Sequence, residues 1–433
     1  MITHPSAARR GTGHLEPTRP GPPGCLDLAR PENSADTGPV ASSQAAGTSV
    51  GTSRGMTGMR QHEQRPLVGG LSSRFPDVRR IAVLRGGGLG DLIFALPAVA
   101  ALAAAYPQAE VTLLGTPLHA ALLAGRPGPV DAVEVLPPRP GVQPGEPDPV
   151  AQQEFGDRVR ARRLDLAVQL HGGGRNSNPF LLELGARHTV GSRTPDAVAL
   201  ERSLPYLYYQ HEVLRALEVV GLAGAAPVDL EPRVELTPAE HAARERALAG
   251  RDRPLLLLHP GATDPRRRWP APSFAQVAAS VAADGASVVV IGDESDVETA
   301  DRIVGGARRL GADDAVTSQA GLVPLAELVG LLASGTVLLA NDSGPRHLAQ
   351  AVGTPTVGVF WVGNVLNAAP LSRGRHRIEF SFTRRCPVCG RDCTRVDGER
   401  CEHDDSFVAE VSPAAVLADV RELIGAEVGS SPR

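Results

Sequence analysis

The chain is expected to fold as an α/β protein of two similar halves, each a parallel sheet wrapped by helices, facing each other across a cleft. Short apolar runs alternate with segments of helical period from Phe75 onward, a pattern that implies parallel strands joined by right-handed crossovers. The alternation restarts after the proline-bearing stretch Pro227 to Pro238, so a linker is expected there. Several apolar runs end directly in turns carrying glycine, histidine or aspartate. In open α/β sheets ligands bind outside the carboxyl ends of strands, so those turns are expected to line the cleft.

Residues Met1 to about Ser73 are rich in Gly, Pro, Ser, Thr and Arg and lack apolar periodicity. Such a segment cannot bury enough surface to offset its ordering entropy, so residues 1–74 are expected to form a disordered tail. Ile81–Leu84 is then a strand, Asp91–Tyr106 a helix, and Val111–Leu114 and Val133–Leu136 two further strands. The Pro/Gly-rich insertion Pro137 to Pro149 precedes a helix around Phe155–Arg163, the strand Leu166–Leu170, the loop HGGGRNSNPF and a helix near His211–Val220. These elements define a first domain over residues 75–235.

The second domain, residues 236–433, repeats the plan. Leu255–Leu258 is a strand, Ser273–Ala283 a helix, Val288–Ile291 a strand and Val297–Leu310 a helix. The helix Leu325–Ala333, the strand Val337–Ala340, the helix Pro345–Val352 and the strand Thr356–Phe360 follow. Two halves joined in this way leave an interface of the kind that commonly holds a small molecule.

Composition narrows the function. With 433 residues, 42% of them hydrophobic, the chain can bury two large cores. A net charge of −4 and a pI of about 6.3 make no case for a nucleic-acid partner. All 44 basic residues are arginine. The first residues lack the apolar segment of a signal peptide, and Leu92 to Tyr106, the nearest approach to a membrane span, is short and contains Pro97. A cytoplasmic protein is expected. Cys25 lies in the tail and the other four cysteines cluster near the C-terminus, unlike a secreted disulfide framework.

The stretch Arg79 to Leu102 carries the strongest signal. The strand Ile81–Leu84 runs into Gly86, Gly87, Gly88 and Gly90, and Asp91 stands at the mouth of the next helix. Glycines let another molecule approach the backbone, and an acid there can take a proton from it. The glycines fall as G-x-G-x-G rather than G-x-G-x-x-G, and the next strand ends in Gly115 rather than in an acid suited to a ribose. A dinucleotide is therefore not expected at this turn. In the loop HGGGRNSN, His171, Arg175 and Asn176 either face the cleft or only shape the loop.

In the second half, Leu255–Leu258 ends in HPGATDPRRRWP, where His259 and Gly261 make a tight turn ahead of Arg266, Arg267 and Arg268. Guanidinium forks bind phosphate oxygens bidentately, although most arginine runs are solvated surface. In VLLANDSGPRHLAQAVG the strand ends at Asn341–Asp342, Ser343 is an N-cap residue and Gly344 and Pro345 open a helix. Free N–H groups at such a start suit an anion; an ordinary capped helix is the alternative. Asp293 and Glu294, after Val288–Ile291, are candidates for ribose or base hydrogen bonds. Cys386, Cys389, Cys393, Cys401 and His403 follow C-x2-C-x3-C-x7-C-x-H. Cys386, Cys389 and Cys393, with Cys401 or else His403 in the fourth position, have a spacing that suits tetrahedral zinc but lacks the second C-x2-C of a zinc ribbon; free thiols or a redox-labile pair are the alternatives.

RGGGLGDLIFALPAV resembles the GD-x5-P signature of family 9 glycosyltransferases, the ADP-heptose:lipopolysaccharide heptosyltransferases. HPGA with the basic-basic-Trp-Pro stretch, the loop Gly292–Glu294 and NDSGPRHLAQAVGTPTVGVF match in the same order. The resemblance covers about Arg79 to Ile424. It implies a GT-B fold, with a nucleotide-diphosphate sugar, ADP-heptose for this family, in the second domain and a glycan or lipid-linked acceptor in the first. It also implies catalysis without a metal cofactor and Asp91 as general base, which leaves the structural zinc suggested by the cysteine spacing as the one metal to consider. Donor contacts are expected from His259, Gly261, Arg267, Asp293, Glu294, Asp342, Ser343, Gly344 and His347. Arg267 stands where the family usually has a phosphate-binding lysine, and His347 is equally suited to packing. Acceptor contacts are expected from Gly88, Gly90, His171, Arg175 and Asn176. A monomer, with peripheral contact to the inner membrane face, completes the expectation. A nucleotide-sugar epimerase and a non-catalytic sugar-nucleotide binder are the rival readings.

Overall fold

The computed structural model describes residues 68–430 apart from Asp397. Most of the expected tail, residues 1–67, lies outside the described residues. The expected boundary at residue 74 needs correcting, because Val68 packs on the apolar core and the Ser72 N–H donates to the Gly221 carbonyl at 3.0 Å. The described chain therefore packs on the core from Val68, seven residues ahead of Phe75.

Each half is a six-stranded, wholly parallel sheet. The first contains β1 (Arg80–Leu84), β2 (Glu110–Gly115), β3 (Ala132–Val135), β4 (Leu166–Gln169), β5 (His188–Arg193) and β6 (Arg202–Pro205), in the order β3-β2-β1-β4-β5-β6. The second contains β7 (Leu255–His259), β8 (Ser287–Val290), β9 (Val316–Ser318), β10 (Val337–Asn341), β11 (Thr356–Trp361) and β12 (His376–Ser381), in the order β12-β11-β10-β7-β8-β9. Numbered from its own first strand, the second sheet has the same order as the first. In both, the chain reverses direction beside the first strand, and the carboxyl ends there form a crevice. Central strands such as β1, β7 and β10 are almost wholly buried, as expected for sheets covered on both faces.

Helices α1 (Leu89–Ala105), α2 (Pro117–Leu123), α3 (Pro149–Ala161), α4 (Ser177–Glu183) and α5 (Glu212–Gly221) surround the first sheet. The linker is pinned midway, where the Val234 N–H donates to the Ala351 carbonyl at 3.0 Å. Beyond it come α6 (Pro238–Leu248), α7 (Ala271–Ala283), α8 (Val297–Arg309), α9 (Leu325–Ser334), α10 (Gly344–Ala351), α11 (Val362–Ala368) and α12 (Pro413–Ser430). The capping box of α6 joins Thr237 and Glu240, and the buried Glu240 also pairs with Arg126 of the first half at 2.5 Å.

The halves touch through the starts of α1 and α10. A Cβ on Gly90 would lie 3.0 Å from His347 Cδ2, and one on Gly344 would lie 3.0 Å from Leu89 Cβ. Phe94 of α1 meets the His347 ring edge-on at 4.4 Å. This contact brings the glycine turn after β1 against the turn after β10.

Three histidines, His259, His347 and His376, lie buried in the second half, and desolvation pushes each down to about 4. An unfolded histidine titrates near 6.5. Between about pH 6.5 and 4 the unfolded chain therefore binds protons that the folded chain refuses, and stability falls as pH falls through that window. Urea unfolding at pH 7 and pH 5 is expected to show this loss, and His376→Gln should reduce it. The Gly90→Val substitution is expected to push the halves apart, because the ring it meets is fixed by Asp342 and Arg346. Small-angle scattering should record a larger radius of gyration; an unchanged radius would contradict the close contact.

Candidate active site in the cleft

The apolar strand β1 sends its chain into a turn whose glycines each meet a specific neighbour. A Cβ on Gly86 would fall 2.6 Å from the Val142 carbonyl, and Gly87 has φ +92° with Asp91 Oδ2 2.4 Å from the same imagined atom. The turn thus wraps around the Asp91 side chain. Asp91 Oδ2 accepts the Gly88 N–H at 2.8 Å and Oδ1 accepts Arg85 Nη2 at 2.5 Å. Its side chain keeps 45% of its surface exposed toward the cleft, so lone pairs remain for a substrate hydroxyl. Arg85 is buried, which works against its charge. Asp91 and Glu212 outweigh that and raise its pKa. Glu212 in turn pairs with Arg215, so the carboxylate of Asp91 is held by a fixed, charge-compensated scaffold.

Of the expected acceptor residues, Gly88 and Gly90 stand in this turn. His171 touches it from below, where its Nδ1 accepts the Gly86 N–H at 3.2 Å. Arg175 is exposed and pairs with Asp196 at 3.4 Å. Asn176 packs on Gly141, whose φ of +70° leaves no room for a side chain. His171 and Asn176 shape the loop floor in this structure.

Across the cleft, the turn after β7 is tied at both ends by one residue. Asn341 Oδ1 accepts the Trp269 N–H at 3.0 Å and its Nδ2 donates to the Pro260 carbonyl at 2.6 Å. Beneath this turn and the start of α10 lies a cavity of about 470 Å³ lined by His259, Thr263, Arg268, Gly292, Asp293 and Asp296, with Ile291, Val323, Leu328, Ser343 and Gly344. An apolar side and an acidic side in one cleft fit a nucleoside better than a purely apolar ligand.

Ser343 stands at the N-cap of α10, as expected, but its side chain does not cap the helix. No side-chain cap bond is made to α10, and the Ser343 hydroxyl pairs instead with His259 Nδ1 at 3.1 Å. The first N–H groups of the helix are therefore left for another partner. Gly344 faces Leu89 and the glycine turn of the first half, so that partner must lie in the cleft.

Asp342 is buried and fully partnered. Its Oδ2 accepts Arg267 Nη1 at 3.0 Å and Asn364 Nδ2 at 3.1 Å, and its Oδ1 accepts His347 Nε2 at 3.1 Å. Burial alone would raise its pKa, yet His347, Arg267 and Arg346 hold it down at about 2. His347 Nδ1 accepts Arg346 Nη2 at 2.8 Å, which fixes a neutral ring with its proton on Nε2. His347 is thus a packed residue that also orients Asp342.

Arg267 lies outside the cavity lining, engaged with Asp342, whereas Arg268 lines the cavity and is anchored by its Nε on the Ala262 carbonyl at 2.9 Å. The 3-10 turn Pro265–Arg267 decides which of three adjacent arginines faces in. Glu294 is exposed and absent from the lining. Asp293 lines the cavity and accepts the Ser295 N–H at 2.8 Å. Asp296, which the sequence reading missed, is buried and lies 3.6 Å from His259, and burial together with Asp293 raises its pKa. Its cue was Gly261 and Gly292, both of which make room for that carboxylate.

Of the five residues in the cysteine cluster, the structure groups Cys386 and Cys389 with both Cys401 and His403 rather than with Cys393. Ligand atoms of Cys386, Cys389, Cys401 and His403 lie within 4.8 Å of one another, and Cys393 stands beside the group with its thiol toward the Arg391 carbonyl. Backbone N–H groups of Cys389 and Val388 point at the Cys386 sulfur and push its thiol down to about 7. The His403 Nδ1 is buried with no hydrogen-bond partner. Four tetrahedral ligands at about 2.3 Å would stand about 3.8 Å apart, a small contraction from the present spacing. The donor set fits a thiophilic metal.

Among the described residues, no helix is long and apolar enough to cross a membrane. The family model for glycosyltransferase family 9 (heptosyltransferase) matches residues 153–389. Lipopolysaccharide heptosyltransferase 2 of Salmonella typhimurium is 23% identical over 364 residues, covering 80% of this chain and 99% of that protein. The structure of Escherichia coli ADP-heptose LPS heptosyltransferase II is similar with a TM-score of 0.62 at 20% identity, covering 81% of this chain and 99% of that one. The iron-containing dodecameric glycosyltransferase TibC of enterotoxigenic E. coli shares the fold at a TM-score of 0.51 and 13% identity, covering 83% of this chain and 82% of that one. All of these are transferases, and none favours an epimerase or a non-catalytic binder. With two Rossmann-like sheets facing one cleft in the GT-B arrangement, the chain is a glycosyltransferase and belongs to glycosyltransferase family 9 (heptosyltransferase).

Proposed function

We propose that the protein is an inverting transferase that moves heptose from ADP-heptose onto a lipopolysaccharide core acceptor, working as a monomer at the cytoplasmic face of the membrane. The observation that carries this reading is the uncapped start of α10 facing the Asp91 turn across the cleft. The nucleoside occupies the cavity after β7 and β8, between Ile291, Val323 and Leu328 on one side and Asp293 on the other. The diphosphate then reaches the open N–H groups at Ser343 and Gly344, where the helix dipole favours negative charge.

In the transfer step Asp91 takes the proton of an acceptor hydroxyl, and the oxygen attacks the anomeric carbon from the face opposite ADP. The bond from that carbon to the diphosphate breaks, and its electron pair leaves on ADP. The α10 start, with Arg268 and Arg267 at its flank, stabilises this growing charge as a preorganised electrostatic site. Base and leaving-group site come from opposite halves, so closure of the cleft assembles the reaction geometry. The chemistry asks no metal of the cleft.

Cys386, Cys389, Cys401 and His403 would hold a structural metal. A closed four-ligand site keeps no open position for a substrate; bound, it would stiffen the segment between β12 and α12. TibC, which shares the fold, is iron-containing, which supports iron as well as zinc.

The Asp91→Asn variant keeps an acceptor for the Gly88 N–H but cannot take a proton. Loss of a general base typically costs ~10²–10⁴-fold, so kcat should fall by that factor while ADP affinity, read by calorimetry, stays unchanged. Near-parental transfer would remove Asp91 as the base. For the metal, elemental analysis of protein purified without added metal should find about one iron or zinc per chain. His403→Ala should lose it and Cys393→Ser should keep it; the reverse pattern would restore the ligand set read from spacing.

A further inference from the structure

A second cavity, of about 270 Å³, lies between the halves on the side of the cysteine segment. Its inner floor is Arg267 and Asn364, the two residues that grip Asp342. One wall comes from the first half, Tyr208 and Tyr209, both around 40% exposed. The outer wall is Arg395 and Arg400 from the cysteine segment. The Tyr209 hydroxyl donates to the Thr394 carbonyl, so the cysteine segment is joined directly to the other half of the molecule. Its lining shares no residue with the nucleotide cavity beneath His259 and Ser343, and only Arg267, at its floor, also flanks the leaving group.

The lining sets fixed donors beside fixed acceptors. Arg266 forks onto Asp264 at 2.6 Å, Arg400 reaches the same carboxylate at 3.6 Å, and the Asn364 amide and two phenols stand nearby. Adjacent hydroxyls on a sugar ring each donate and accept, and such mixed arrays satisfy them where a purely cationic or apolar pocket would not. The tyrosine faces offer amphipathic surface for the apolar side of the ring. The volume is close to the ~300 Å³ lower end of small-ligand pockets, enough for one unit rather than a chain.

We propose that this cavity is a second acceptor subsite, which holds the saccharide unit neighbouring the one that receives the new sugar, with the cysteine segment as its outer wall. The inference rests on the transferase reading above. It gives the cysteine segment a role in acceptor recognition, because that segment carries Arg395 and Arg400 and is tied to Tyr209 through the Thr394 carbonyl.

The test compares the parent protein with an Arg395→Ala/Arg400→Ala variant and, from the opposite wall, Tyr209→Ala. Each is assayed with ADP-heptose and a delipidated lipopolysaccharide inner-core oligosaccharide. Removing binding common to ground and transition states raises KM and spares kcat. Both variants should therefore raise the acceptor KM about tenfold, or ~1.4 kcal/mol, with kcat at saturating acceptor and ADP affinity within about twofold of the parent. An acceptor KM that neither variant moves, or that only one wall moves, overturns the subsite. So does a loss of ADP affinity in parallel, which would mark a structural role. If the arginine variant fails to fold, Tyr209→Ala decides alone. A parent protein that binds ADP but transfers heptose to no acceptor overturns the transferase reading and the subsite with it, whereas parental turnover with insensitive KM overturns the subsite alone.

Discussion

The close approach of two helix starts is the constraint on which the rest of the molecule depends. Gly90 leaves room for the His347 ring and Gly344 leaves room for Leu89, so α1 and α10 can meet end to end across the cleft. Each start follows a strand, β1 or β10, that flanks the point where the strand order of its sheet reverses. A Cβ at either glycine would sit 3.0 Å from the facing half and force its neighbour to give way, and a larger side chain would move the exposed carboxylate of Asp91 away from the open N–H groups of α10. Glycine is therefore required at these points for proximity between halves; φ is positive at neither residue.

The two halves share one strand order but hold their key acids in opposite ways. Asp91 sits in a turn that leaves nearly half its side chain in the cleft, steadied by Arg85 and the Gly88 N–H. Asp342 is buried and saturated by Arg267, Asn364 and His347. Removing one partner of such a buried charge costs about 3–5 kcal/mol, which makes Asp342 a structural tie between the β7 turn, α10 and α11. The exposed acid is suited to exchanging a proton, and the buried one to fixing the surface on which charge develops. Turning the Ser343 hydroxyl to His259 leaves that helix start without a cap, a local loss of stability placed where an anion can compensate for it.

The central strands and the turns after β1, β7, β8 and β10 were legible because burial on both faces leaves unbroken apolar runs, and because glycine and acid follow them at once. The outer strands β5, β6, β9 and β12 were not read. Sequences such as HTVGSR and RSLP mix polar and apolar residues, and only their neighbours in the sheet make them strands. Local chemistry also could not choose among Arg266, Arg267 and Arg268, since all three are the same residue and a single 3-10 turn sorts them. Ser343 read as a cap because its true partner, His259, is 84 residues away. The spacing favoured Cys386, Cys389 and Cys393, with Cys401 or His403 in the fourth place, and could not show that His403 stands beside three thiols while Cys393 lies outside the group. That arrangement depends on how the segment folds back past Cys393.

The central claim is the division of labour between two sheets of identical strand order, the second holding the nucleotide and the first supplying the base. A crystal structure of the protein with ADP tests it most directly. The account predicts adenosine in the cavity between Ile291, Val323 and Asp293, with the diphosphate on the Ser343–Gly344 backbone and Arg268 beside it. ADP seated on the Gly86–Gly90 turn of the first sheet, with Asp91 on its phosphates, would contradict it.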